Sequence, residues 1–310
     1  MSSNASASAM ALPVARRPVA WGRIARTVAA AAVAGIFILP ILWWGLASFK
    51  PTQEILSVPP KLFGFEPTFH WYRVVLGNED PTKFNLESTG SVGRGSGGSK
   101  FYSIPYLRDS AIIGIGSTAL VLLLSAPAAY AMSRFALRWR KDLAFWILSQ
   151  RMMPPVVAAF PLFFVYRKLG WVDTYHGLIL VHAAMNVPLA VLLLMSFFNE
   201  IPRDLDDAAM VDGATRFGAF RNSLTLVRGG LVATAVLAFI FSWNEFLLSL
   251  VLTTVGVRTV PVASSTFTTA FQTEWGYLAA LGITSMVPIF VFILIVQRHL
   301  VRGLTLGAVK

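Results

Sequence analysis

NEIPRDLDDAAMVDGATRFGAFRNSLTLVR, residues Asn199 to Arg228, is the stretch on which the reading of this chain turns. It has the pattern of a short helix, a turn and a second short helix. Pro202 suits a first helical position, and Asp204 and Asp206 put negative charge where the dipole of a helix N-terminus favours it. Leu205, Ala208, Ala209 and Asp212 recur at i, i+3, i+4 and i+7, so they share one face. Gly213 follows as a residue that takes positive φ without steric cost, and Thr215 to Asn222 resumes helical composition. Alanine and glycine lower the ridge of a helix and let another surface come close. Spacing alone leaves two readings open. Either the hairpin plugs a groove on a separate protein, or it lies on a membrane surface or against its own helices.

On both sides of the hairpin the sequence turns strongly apolar. Of 310 residues, 55% are hydrophobic and 13% charged, against about 25% charged in an ordinary soluble domain; the mean hydropathy is +0.64. A soluble globule has no room for so much apolar surface, so the chain is read as membrane-embedded. A crossing helix needs about 20 mostly apolar residues, and six stretches qualify: Val28 to Phe49, Ser110 to Met132, Leu143 to Tyr166, Gly177 to Phe198, Gly229 to Val255 and Tyr277 to Val296. The first follows Arg16, Arg17, Arg23 and Arg26 but is too long for a signal peptide and lacks a clear cleavage site.

With the N-terminus inside, the short loops and tails hold 15 Lys and Arg on the cytoplasmic side and 3 outside, which by the positive-inside rule places both termini in the cytoplasm. The expected layout is a cytoplasmic tail at 1–27, an all-α domain of six transmembrane helices at 28–300 and a tail at 301–310. An outer loop occupies 50–109 and the cytoplasmic hairpin 199–228. Ser88 to Ser99, with five glycines and four serines, has the composition of a flexible linker or of a flap that meets an external partner.

The net charge of +11 is explained by cations flanking spans, with no basic helical face or interleaved aromatics to suggest a nucleic-acid partner. With no cysteine there is no disulfide, thiolate metal site or Cys nucleophile. The four histidines are scattered, without ligand spacing for a metal, and no GxxxxGK[ST] loop is present to cradle a nucleotide.

Asp207-Ala208-Ala209 followed by Gly213 resembles the EAA-x3-G motif of importer permeases of the ATP-binding-cassette (ABC) class. IPRDLDDAAMVDGAT and then FIFSWNEFLLSLVLT, Phe239 to Thr253, are similar to the binding-protein-dependent sugar permeases of the maltose-transporter, or MalG-like, type. SAPAAYAMSRF at Ser125 to Phe135, GLIL and PLAVLLLMSFF in the fourth span, and the tail VRGLTLGAVK agree and stand in family order. Two departures stand out. Asp207 replaces the usual Glu, and Ser223-Leu224-Thr225-Leu226-Val227 lacks the usual Leu-Pro pair, so a straighter approach to the fifth span is expected.

The resemblance implies a transport subunit rather than an enzyme, in a bacterial inner membrane. Its implied partners are a second, MalF-like permease subunit, a dimer of ATPase subunits that carries ATP and Mg, an external solute-binding protein, and a carbohydrate substrate. No cofactor is then bound by this chain. By the same resemblance Asp207, Ala208, Ala209, Asp212, Gly213 and Arg216 are the residues that couple to the ATPase. Val257 to Trp275, with Thr266, Phe267, Thr268, Thr269 and Glu274, matches by position the loop that meets the binding protein.

Polar residues inside spans are rare and point to function. Ser242, Glu245 and Ser249 share a face on a continuous helix, beside Trp243 and Asn244. They either line a substrate pathway or form a buried network between helices. Arg151, Met153, Pro154 and Pro155 interrupt the third span, as Asn186 and Pro188 mark the fourth; interior prolines kink helices, which suits a gate or simply a packed bend, with Arg151 snorkelling to the inner interface. The alternative function is an ion-gradient-driven transporter working through a carboxylate such as Glu245, although no second broken span matches the third as repeated halves require.

Overall fold

The computed structural model describes residues 21–77, 102–268 and 273–307, and the Gly/Ser-rich stretch Ser88 to Ser99 lies outside them. The described residues are helical: α1 (Trp21–Ala47), α2 (Thr52–Ile55), α3 (His70–Val75), α4 (Ile104–Arg134), α5 (Arg140–Met152), α6 (Pro155–Leu169), α7 (Tyr175–Glu200), α8 (Asp204–Val211), α9 (Arg216–Leu226), α10 (Arg228–Trp243), α11 (Leu247–Leu252), α12 (Val260–Ser265) and α13 (Trp275–Gly307).

Among the described residues, four segments are long and apolar enough to cross a membrane unbroken: Ala25–Ala47, Ile104–Arg134, Tyr175–Glu200 and Trp275–Val296. The third and fifth expected spans are not single helices. The third is α5 and α6, set at 90°. Met153 and Pro154 are extended there (ψ 126° and 128°), because a residue before proline is pushed out of the helical region. Pro155 then opens α6 at the one helical position where its missing N–H costs nothing. The fifth is α10, a break at Asn244 to Phe246, and α11.

The approach to α10 is bent by 74° against α9 rather than straight. Val227 closes one helix and starts the next with its side chain buried beside Val191, Leu194 and Phe198, so packing turns the chain where the proline is missing. Residues 301–307, expected as tail, continue α13, and α1 starts at Trp21, ahead of the expected Val28.

α4 and α7 pack along their lengths, α10 lies against both, and α13 lies against α10. In lipid the hydrophobic effect adds little between helices, so close van der Waals contact holds them. The contact is accordingly built from small residues: Ser117, Ser125, Ala126, Ala129 and Ser133 of α4 and Ala183 and Ala190 of α7 are all buried. Where α10 crosses α7, a Cβ on Gly230 would overlap the Phe197 ring. Tyr130, Leu194, Phe198 and Val227 fill the core at the hairpin end, and Ile113, Tyr166, Leu178, Leu248 and Leu252 fill the other.

At the end of α7 away from the hairpin, two carboxylates hold the 253–259 loop. Asp173, at φ 63°, accepts from the backbone N–H of Thr254, Val255, Gly256 and Val257 and from Thr254 Oγ1. Partial burial pushes its carboxyl up, but these hydrogen bonds outweigh that and hold it well below the usual carboxylate range. Asp109 accepts from the Tyr175 hydroxyl (2.7 Å) and from Arg258 N (3.3 Å). In the neighbouring segment that by position matches the binding-protein loop, Phe267 is buried and stacked on Tyr277 at 5.6 Å, and Thr269 lies outside the described residues.

Candidate functional site

Two places gather the residues singled out from sequence: the α8–α9 hairpin and a cavity where the broken helices meet. α8 carries Asp204, Asp206 and Asp207 in its first turn. Its N-cap is Arg203, which leaves Pro202 outside the helix rather than at its first position. The helix ends at Val211 with Asp212 as C-cap, and Gly213 follows at φ 90°. Gly213 N donates to Met210 O (3.1 Å) and Ala214 N to Ala209 O (2.9 Å), the paired bonds of a Schellman turn. The Thr215 side chain accepts from Gly218 N (3.1 Å) and so caps α9.

The predicted small-residue face points outward. Leu205, Ala208 and Asp212 are exposed, as are Asp207 and Gly213, and Ala209 is half-buried. Val211 is 87% and Phe217 73% exposed, so the hairpin presents apolar surface as well. Arg216 lies over the Phe135 ring at 5.6 Å with its guanidinium at the surface. The hairpin therefore does not spend this face on its own bundle.

The cavity, of about 260 Å³, is lined by Arg151, Met153, Pro155, His182, Met185, Asn186, Phe241, Glu245 and Leu248. Both helix breaks open onto it: Met153 and Pro155 at the α5–α6 bend, Glu245 at the α10–α11 break. Met153, Pro155 and Asn186 of the expected gate stand on its wall, whereas Pro154 caps α6. Arg151 is on the same wall. Its Nη1 donates to Met185 O (3.0 Å), and the guanidinium sits 4.8 Å from the Phe241 ring centre.

Of the five expected pathway residues, only Glu245 lines the cavity. Its carboxylate accepts from Leu248 N, Ser249 N and Ser249 Oγ at 2.8–2.9 Å, satisfying the open N–H groups at the start of α11. Ser242, Glu245 and Ser249 converge, but through a break closed by this cap instead of along one helix. Behind them lies fully buried His182, with Nδ1 2.7 Å from Ser242 Oγ and Nε2 3.1 Å from Ser249 Oγ and 3.4 Å from Glu245 Oε2.

Ser249 donates its hydroxyl hydrogen to Glu245, and Ser117 Oγ lies 2.9 Å from Ser242 Oγ and 3.2 Å from Gly114 O. The His182 imidazole thus completes a chain of contacts from α4 to α11, and each buried polar group in it is partnered. Trp243 is buried against Phe239, and the Asn244 amide donates to Ile240 O (2.8 Å).

With its four histidines scattered, the sequence carried no sign of the network that His182 organises. The buried pair of Arg134 and Asp206, 2.5 Å apart, was passed over as well. A cation inside an apolar run was the available signal for Arg151. For Asp206 there was none, because its neighbour Asp207 fits the motif.

Residues 112–306 match the family described as "Binding-protein-dependent transport system inner membrane component". The chain is 38% identical over 300 residues to the trehalose transport system permease protein SugB of Mycobacterium tuberculosis, covering 96% of this chain and 99% of that one. It is 33% identical over 291 residues to the trehalose/maltose transport system permease protein MalG of Thermococcus litoralis, covering 93% and 97%. Among solved structures, a bacterial ABC transporter involved in the import of the acidic polysaccharide alginate shares the fold, with a TM-score of 0.64 at 19% identity over 90% of this chain and 98% of that one.

Proposed function

Because the chain belongs to the binding-protein-dependent transport system inner membrane components, we propose that this multi-pass membrane protein is one permease subunit of an ABC importer that moves a sugar, polyol or related carbohydrate. The observation that carries the reading is the outward-facing small-residue hairpin. A closely approachable helix, ended by a fixed Schellman turn and capped again at once, has the form of a rigid plug for another protein.

In this proposal both termini and the hairpin are cytoplasmic, and 28–300 forms the permease domain. A dimer of ATPase subunits grips Asp207, Ala208, Ala209, Asp212, Gly213 and Arg216. The ATPase carries ATP and Mg, and this chain binds no cofactor of its own. A second permease subunit completes the pathway, and an external binding protein delivers the substrate. The names of the relatives, which cite trehalose and maltose, support a carbohydrate cargo. The cavity fits a passage for one: Arg151 brings N–H donors, Asn186 an amide, and Met153, Pro155, Met185 and Phe241 apolar surface for a sugar face. Glu245 acts by holding α11 rather than by meeting cargo, since its oxygens are engaged within the chain. A gradient-driven carboxylate relay gains no support from such a residue.

The test is uptake of labelled trehalose and maltose by proteoliposomes holding this chain with its companion permease, ATPase and binding protein. Uptake should require ATP and the binding protein. Uptake driven by a proton gradient without ATP would overturn the proposal.

A further inference from the structure

We propose that Asp206, Arg134 and Ser223 form the joint that carries movement of the hairpin into α4, with Asp206 as its positioning residue; this rests on the reading of the hairpin as the ATPase grip. Asp206 is the buried residue of α8, while the apolar Leu205, Met210 and Val211 are exposed. Apolar burial therefore does not fasten this helix to the bundle. Its carboxylate does. Asp206 Oδ2 lies 2.5 Å from Arg134 Nε, Ser223 Oγ of α9 donates to Asp206 Oδ1 at 2.5 Å, and Arg203 Nη2 donates to Ser133 O at 3.0 Å. Both ionic side chains are nearly closed to solvent, at 7% and 9% exposure.

The placement suits the charges. Arg134 stands in the last turn of α4 and Asp206 in the first turn of α8, each at the helix end whose dipole favours it. One carboxylate thus ties three helix segments at a point. A buried ion pair is a weak source of net stability, yet removing one partner is costly, so its value here is directional. Apolar surfaces slide past one another, whereas a charge pair with a hydroxyl bond pulls along a line. Arg134 Nε and Nη2 and Asp206 Oδ2 are buried and form no aligned hydrogen bond, so the pair is held by charge at close range, with the Ser223 hydroxyl supplying the formed bond. From Arg134, α4 leads directly to Ser117, whose hydroxyl meets the Ser242–His182 network behind the cavity. The joint therefore connects the proposed motor contact to the cavity wall through one helix.

The experiment uses the assembled complex and needs no identified cargo. Met153→Cys, in the cysteine-free chain, places a thiol on the cavity wall, and its labelling by a maleimide is timed with and without Mg-ATP and vanadate. With Asp206 intact, trapping should change the labelling rate about fivefold or more. Asp206→Asn should abolish that change while vanadate-trapped nucleotide is retained, and Asp206→Glu should restore it. Should the Asn variant fail to assemble, Ser223→Ala, which removes only the hydroxyl, should still diminish the response.

Full labelling change in Asp206→Asn or Ser223→Ala with nucleotide trapped overturns the joint. So does equal loss of trapping and labelling change in an assembled Asp206→Asn complex, as a merely structural role requires. If the ATPase does not assemble with the unaltered chain at all, it is the hairpin reading beneath the joint that fails.

Discussion

Replacing Gly213 with valine is expected to cut transport severely while the chain still inserts and assembles its helices. Gly213 sits at φ 90°, and nothing crowds the place its Cβ would take, so the obstacle is conformational alone. A β-branched residue held in that region carries strain of about 1–3 kcal/mol. It relieves the strain by unwinding the turn, which removes the Gly213–Met210 and Ala214–Ala209 bonds that fix α8 against α9. Since about 1.4 kcal/mol is tenfold in a binding equilibrium, uptake should fall roughly tenfold or more, read in the same proteoliposomes. Gly213→Asn, which tolerates positive φ, should keep most of the activity. Unimpaired uptake by the valine variant would mean that the turn does not set the coupling geometry.

The second large effect is expected at Glu245. Alanine there leaves the N–H groups of Leu248 and Ser249 open and takes an acceptor from the buried Ser249 and His182 network. Leaving buried groups unpaired costs about 1–3 kcal/mol each, and water in the cavity can serve those nearest it. A loss of about 3 kcal/mol is expected, seen as a lower unfolding temperature in detergent together with reduced uptake. Glu245→Gln keeps one acceptor oxygen, so its penalty should be about 1 kcal/mol and its uptake closer to normal. An alanine variant as stable and active as the parent would show that the cap does not hold α11 at the cavity.

How far the sequence could be read depended on what each feature rests on. The hairpin was legible because its signals are local: Gly213 for a positive φ, and small residues at helical spacing. The four unbroken spans were legible because length and hydropathy suffice. The interruption at Pro154-Pro155 was legible too, but its 90° angle was not, since prolines stop a helix without saying where the next one points. The break at Asn244 to Phe246 left no mark, because Asn-Glu-Phe contains no breaker. Glu245 creates the second helix by capping it, an interaction visible only in three dimensions.

Asp206 and Asp207 show the same limit most closely. Neighbouring residues lie about 100° apart around a helix, and sequence does not reveal which side faces α4. The motif drew attention to the exposed Asp207 while Asp206 took the buried pair. Arg134 was counted only as an inner positive charge, although its guanidinium is turned into the protein.

The most direct measurement places single cysteines at Ala208 and at Asp212 in this cysteine-free chain and crosslinks the assembled complex from the cytoplasmic side. Both should capture the ATPase subunit, and more strongly when nucleotide is bound. Crosslinks that never reach an ATPase, or labelling of these positions only by reagents applied from outside the cell, would contradict the assignment of the hairpin as the motor's grip.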